Sequence, residues 1–158
     1  MELFLVRHAI AVPSADELPD AERPLTDQGR KRFAREVRGL DRLGIRLDRV
    51  LHSPWTRAVQ TADLLHAILE GESAVEAGLA REPDGELVAR LGAAGARVAA
   101  VGHEPWMSEL LAVLVTGNKT HAGRLSFKKG QVAWLTGDAK PRGMEMIASL
   151  PPRVLRRL

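Results

Sequence analysis

The sequence predicts an α/β fold in a single domain, residues 1–158, and three observations carry that expectation. Short apolar runs alternate with stretches of helical periodicity along the whole chain. Leu3-Phe4-Leu5-Val6 is an unbroken apolar run, the pattern of a central strand covered on both faces. A length of 158 residues suits one continuous core, and no repeat, linker or low-complexity tract divides it.

The elements follow in order. After the first strand comes a polar loop, Pro13 to Pro24, rich in Asp, Glu, Ser and Pro. Thr26 reads as an N-cap for a helix whose Phe33, Val37 and Leu40 recur at i, i+4 and i+7, with Gly44 as its stop. Arg49-Val50-Leu51 predicts a second strand. Ser53-Pro54 then reads as cap and first-turn residue of a helix with Ala58, Ala62, Leu65 and Leu69 on its inner face. Glu82 to Leu91 predicts a short helix with Pro83 in its first turn. Arg97 to Val101 predicts a buried strand ending at Gly102-His103, and Pro105 opens a helix with Trp106, Leu110 and Leu114 inward. Gln131–Leu135 and Glu145–Leu150 predict two antiparallel final strands. Pro151-Pro152 then ends the sheet and leaves an Arg-rich tail, Arg153, Arg156 and Arg157.

Composition narrows the function. With 45% apolar and 27% charged residues the chain has the balance of a soluble globular protein. It has no cysteine, which excludes disulfides, thiolate metal sites and a cysteine nucleophile. No apolar run is long enough for a membrane span, and MELFLVRHA lacks the basic region of a secretory signal, so a cytoplasmic location with no membrane partner is expected. The net charge is +3, and eighteen of the 23 basic residues are Arg, which suits an anionic ligand. Aromatics at 4% and no Tyr make a poor base-stacking platform, so no nucleic-acid partner is expected. Gly117-Asn118-Lys119-Thr120 falls short of a P-loop, and Met107 breaks a zinc-binding HExxH begun at His103-Glu104. Neither cofactor nor metal is called for.

Three strand ends carry unusual polar residues: Arg7-His8 after the first, Ser53-Pro54 leading to Arg57 after the second, and His103 after the buried strand at 97–101. In open α/β sheets, ligands bind beyond the carboxyl ends of the strands. The pattern predicts two histidines and two arginines converging on one edge, beside helix N-termini that favour anions. Arg forks match phosphate oxygens bidentately. Alternation would send Arg7 and His8 to opposite faces, so both reach one site only if the strand ends by Val6. An Arg-His pair alone is weak, since composition gives about 0.6 such pairs by chance. The conjunction carries the argument.

Four segments together carry a resemblance. Leu-Val-Arg7-His8-Ala9, Arg23-Pro24-Leu25-Thr26 with Gly29, Ser53-Pro54-Trp55-Thr56-Arg57-Ala58-Val59-Gln60-Thr61-Ala62 and Val101-Gly102-His103-Glu104-Pro105 resemble the histidine phosphatase superfamily, in its short SixA-type phosphohistidine phosphatase form. Ala9 stands where the family usually has Gly. The resemblance implies a three-layer α/β/α, phosphoglycerate mutase-like fold, with a mostly parallel central sheet and an antiparallel strand. It implies His8 as nucleophile, with Arg7, Arg57 and His103 catalytic and phosphate-binding. Two nearby guanidinium charges favour a neutral His8, while His103 is more useful protonated. The implied activity is metal-independent hydrolysis of phosphohistidine on a signalling or phosphocarrier protein, through a phospho-His8 intermediate. A small-molecule phosphomonoesterase and a non-catalytic phosphate-binding module are the alternatives.

Plainer roles compete at several positions. Glu82 is the nearest candidate general acid by order, although spacing does not force it into the site. His52 reads as a strand-end residue, His66 and His121 as surface, and Trp55, Trp106 and Trp134 as core or rim packing. Lys128-Lys129 reads as a solvated pair able to steer an acidic partner. The short stretch between Arg57 and His103 leaves little room for a lid and predicts an open, shallow site.

Overall fold

The protein is described by a computed structural model covering residues 1–15 and 18–158, so Asp16 and Glu17 of the predicted polar loop lie outside the described residues. Six strands form one sheet in the order β3-β2-β4-β1-β5-β6. These are β1 (Glu2–Arg7), β2 (Leu47–His52), β3 (Leu69–Val75), β4 (Arg97–Gly102), β5 (Val132–Gly137) and β6 (Met144–Leu150). β1, β2, β3 and β4 run parallel, and β5 pairs antiparallel with both β1 and β6.

The apolar run of β1 divides by alternation, as a two-sided strand must. Phe4 and Val6 face α1 (Asp27–Arg42), α2 (Thr56–Leu65) and the short α5 (Pro152–Leu155), through Phe33, Val37, Ala58, Ala62 and Leu155. Leu3 and Leu5 face α3 (Gly85–Ala93) and α4 (Trp106–Thr116), through Leu87, Leu91, Leu110 and Leu114. The result is the three-layer α/β/α arrangement.

Thr26 caps α1 as expected, its hydroxyl accepting from Gly29 N at 2.9 Å. Gly29 is there because α1 crosses the chain leaving β1 at close range: a Cβ would overlap the Ile10 carbonyl oxygen. Helix propensity favours alanine by about 1 kcal/mol, but overpacking costs about 1–3 kcal/mol, so the clash decides the sign. Gly29→Ala is expected to lower the unfolding free energy read from urea denaturation by roughly that net amount, and an unchanged or higher value would refute the close-approach account.

The elements depart from the sequence reading in four places. α2 begins at Thr56 rather than at Pro54, because Ser53 Oγ accepts from Trp55 N at 3.2 Å in the turn before the helix. It stops at Leu65, and Leu69, expected on its inner face, instead opens β3, an edge strand. α3 starts at Gly85, because Asp84 rather than Pro83 supplies the cap, accepting from Leu87 N at 2.7 Å. The Arg-rich tail is docked in part: Leu155 is buried, and Arg156 pairs with the buried Glu36 of α1.

Candidate active site

β4 lies between β1 and β2, so the carboxyl ends of three parallel neighbours bring Arg7-His8, Ser53 and His103 to one edge. Arg57 joins them from the first turn of α2. His8, Arg57 and His103 are only 5%, 3% and 2% exposed. β1 runs on through Arg7, so the condition that it end by Val6 does not hold. His8 lies one residue past the strand, free of its alternation, and the long Arg7 side chain bends to the Phe127 carbonyl. Its charge still bears on both His8 and His103.

Backbone hydrogen bonds fix the His8 ring. His8 N donates to Gly102 O at 3.0 Å, and Gly130 N, in the turn before β5, bonds the carbonyls of Arg7 and His8, both at 3.1 Å. The Ala9 carbonyl, 2.7 Å from His8 Nδ1, can only accept, so the ring proton sits on Nδ1. Nε2 therefore carries the free lone pair, and Arg57 Nε donates to it at 3.2 Å. Ala9 is itself pinned, its N–H donating to Thr61 Oγ1 at 3.1 Å, while Gln60 Oε1 accepts from Leu25 N at 2.8 Å. The Arg57–Thr61 segment thus supplies one ligand-facing side chain and two that lock neighbouring loops. Ala9 needs no positive φ, so alanine fits in the place of the usual glycine.

His103 stacks near His8, with ring centroids 5.1 Å apart, and its Nε2 lies 2.7 Å from Ser53 Oγ. Ser53 Oγ accepts from Trp55 N and can give its own proton to Nε2, which leaves the imidazole proton on Nδ1, a buried atom with no partner among the described residues. Trp55 packs at the rim, 4.4 Å from the His103 ring, 5.9 Å from Trp106 and 4.6 Å beneath the Arg57 guanidinium.

Burial first, then the charges of Arg57 and Arg7, push His8 down to about 3, although its bond to Ala9 opposes the shift. Burial and the neighbouring His8 and Arg57 push His103 down to about 3 as well. Both rings are neutral in the empty site, so a protonated His103 requires an arriving anion. Depressed histidines contribute stability that is present above their unfolded pKa near 6.5 and is lost as pH falls towards 3. Each ring accounts for about 2 kcal/mol between pH 6.5 and 5. Glu36, which burial pushes up to about 7 despite Arg156, contributes in the opposite sense, its part lost as pH rises through 7. The difference in unfolding free energy between wild type and His8→Asn should therefore shrink on acidification, and a pH-independent difference would refute the assignment.

Two residues that sequence reasoning did not assign to the site also bear on it. Asp20, in the 3-10 turn Asp20–Glu22, places Oδ2 2.9 Å from Arg57 Nη2 and Oδ1 2.7 Å from Arg23 Nε. Partial burial alone would raise the Asp20 carboxyl, but the bonds from Arg23 and Arg57 outweigh it and hold the group low and ionised. Partial burial first, then the charges of Arg7, Arg23 and Arg57, pull down the ammonium of Lys129, read as half of a solvated pair. Asp20 is thus held between two arginines, Arg23 and Arg57. Asp20, from the turn before α1, reaches the buried Arg57, so this turn rather than the stretch between Arg57 and His103 borders the site. No spacing rule marks Asp20; its only trace in the sequence is its place three residues before the Arg23-Pro24-Leu25-Thr26 segment.

The remaining candidates fall outside. Glu82 is exposed and paired with Lys119. His52 is buried, with Nδ1 3.0 Å from Ser53 O, a strand-end role, and His66 and His121 are exposed. No helix among the described residues is long and apolar enough to cross a membrane.

Comparison with known proteins finds relatives over most of the chain. Residues 3–84 match the family model described as "Histidine phosphatase superfamily (branch 1)". An uncharacterized protein of Picosynechococcus sp. is 36% identical over 147 residues, 88% of this chain and 87% of that one. The solved structure of the protein histidine phosphatase SixA complexed with tungstate superposes with a TM-score of 0.82 at 26% identity, covering 98% of this chain and 99% of that one. The alpha-ribazole phosphatase of Shigella flexneri shares the fold, with a TM-score of 0.76 at 16% identity over 96% of this chain and 97% of that one.

Proposed function

The chain belongs to the histidine phosphatase superfamily, and from that premise we propose that it hydrolyses phosphohistidine on a signalling or phosphocarrier protein, without a metal, through a covalent phospho-His8 intermediate. The observation that carries the reading is the His8 ring: Nδ1 is tied to a carbonyl, and Nε2 presents its lone pair among Arg7, Arg57 and His103. A pure binding module has no use for such a lone pair.

Arg57 Nε leaves His8 Nε2 for a phosphoryl oxygen as substrate enters. Nε2 then attacks phosphorus in line while the substrate P–N bond breaks, its electron pair leaving with the substrate imidazole, which departs protonated. The Ala9 carbonyl steadies the positive charge that spreads to Nδ1–H. Arg7, Arg57, Lys129 and the Nδ1–H of His103 stabilise the three equatorial oxygens, work shared with metal ions in other phosphoryl-transfer enzymes. Water next attacks phosphorus, the P–Nε2 pair returns to His8, and orthophosphate and a proton leave.

Esters require an acid to protonate the leaving oxygen. Glu82 is exposed and paired with Lys119 outside the cradle, and two arginines hold Asp20 ionised, so neither is placed to supply that proton. That favours a phosphoramidate, whose nitrogen can leave already protonated, over the small-molecule phosphomonoesterase reading. The test compares phosphate release, in chelator, from a phosphohistidine-bearing carrier protein and from p-nitrophenyl phosphate. A kcat/KM at least about 100-fold higher for phosphohistidine is expected; faster ester hydrolysis would overturn the assignment.

A further inference from the structure

Beside the cradle lies a second concavity of about 410 Å³, within the range of small-ligand sites. Arg7 forms one wall, and Glu104, Ser108, Glu109, Ser126 and Phe127 contribute to the rest. Its two carboxylates differ. Glu104 is satisfied within the protein: its oxygens accept from Ser108 Oγ at 2.6 Å, from Ser108 N at 3.2 Å and from Phe127 N. Among the described residues, Glu109 Oε2 is buried and accepts nothing, and Arg7 Nε is buried and donates to nothing. Lys119 lies near enough to feel the charge of Glu109, yet its ammonium is hydrogen-bonded to Glu82. The cavity is thus lined by Arg7, on the phosphate side, and by Glu109, each of which keeps one buried side-chain atom unmatched among the described residues. A buried polar atom left unmatched costs stability, and such atoms in native proteins call for an explanation.

We infer that this cavity is a substrate subsite in which Glu109 receives a cationic group, ammonium or guanidinium, attached to the same molecule as the phosphoryl group held by Arg7. The inference rests on the phosphatase reading of the cradle, and it narrows the substrate class to phosphorylated compounds or segments that also carry a positive charge. A basic side chain beside a phosphohistidine and the amine of a small phosphorylated compound offer the same chemistry.

Calorimetric binding reads the cavity without requiring turnover. Aminoalkyl phosphates of increasing chain length are each compared with the alkyl phosphate of equal length, on wild type and on Glu109→Gln. At the matching length, wild type is expected to bind the amine about five-fold more tightly. Glu109→Gln should lose that preference while binding the plain alkyl phosphates as wild type does. Equal affinities at every length in wild type, or a preference that survives in Glu109→Gln, would overturn the subsite. Failure of every phosphate to bind would instead strike at the cradle, and the subsite would fall with it.

The source of the cation is then read from turnover of phosphohistidine peptides with arginine or norleucine beside the phosphorylated residue, and of free phosphohistidine against its N-acetyl form. Dependence on Glu109 in the peptide pair assigns a protein side chain, and dependence in the free amino-acid pair assigns a small amine. If both pairs are indifferent to Glu109, the subsite does not act on phosphohistidine and the inference is refuted for the proposed reaction.

Discussion

His8→Ala is expected to lower kcat/KM on phosphohistidine by about 10⁴- to 10⁶-fold, the loss that follows removal of a covalent nucleophile. The substitution removes the lone pair and also strands Arg57 Nε, a buried donor that has His8 Nε2 as its acceptor. Some stability loss accompanies it, so His8→Asn, closer in volume and still polar, serves as the companion variant. Both should remain folded and still bind inorganic phosphate, because Arg7, Arg57 and Lys129 stay in place. Brief incubation of wild type with labelled substrate, quenched in base, should leave an acid-labile phosphate that maps to His8 and is absent from either variant. Residual turnover within about ten-fold of wild type in a folded His8→Ala protein would remove the covalent mechanism altogether.

Arg57→Lys is expected to cost about 10²- to 10³-fold in kcat, although it preserves the charge. The guanidinium does three geometric jobs at once. Its Nε donates to the nucleophile, its Nη atoms hold Asp20, and its plane lies 4.6 Å from the Trp55 centroid. An ammonium supplies one point charge and cannot span those positions. It would also leave the Asp20 carboxylate with Arg23 as its remaining guanidinium partner, freeing the turn over the site. A loss below about ten-fold would show that charge alone matters at this position.

The sheet edge was legible because strand ends and helix starts are local events. Arg7-His8, Arg57 and His103 each follow an apolar run, and parallel packing leaves such ends nowhere else to go. Asp20 was not legible, since its role depends on a loop folding across to α2, and nothing within the loop distinguishes it from its acidic neighbours. Ser53 reads in sequence as a cap; its hydroxyl also faces His103 because β4 is inserted beside β2, a fact of topology. β3 escaped for a different reason. It pairs on one side only and carries Glu70, Gly71 and Glu72, so burial leaves almost no apolar mark on it. Lys129 looks solvated by composition and is exposed, yet the turn ending at Gly130 sets it against three arginines.

The partner of His8 Nδ1 is a main-chain oxygen, and this bears on how the enzyme can change over generations. Where a carboxylate side chain sets the tautomer of a reactive imidazole, one codon change can destroy the arrangement. Here every amino acid at position 9 would still bring a carbonyl. Genetic drift can reach the proton on Nδ1 only indirectly, by moving the backbone through bulk at position 9 or through loss of the Thr61 hydroxyl. Selection is thus relieved of guarding the orienting group itself and bears instead on the size of its neighbours, leaving the more distant cavity walls free to diversify towards new substrates.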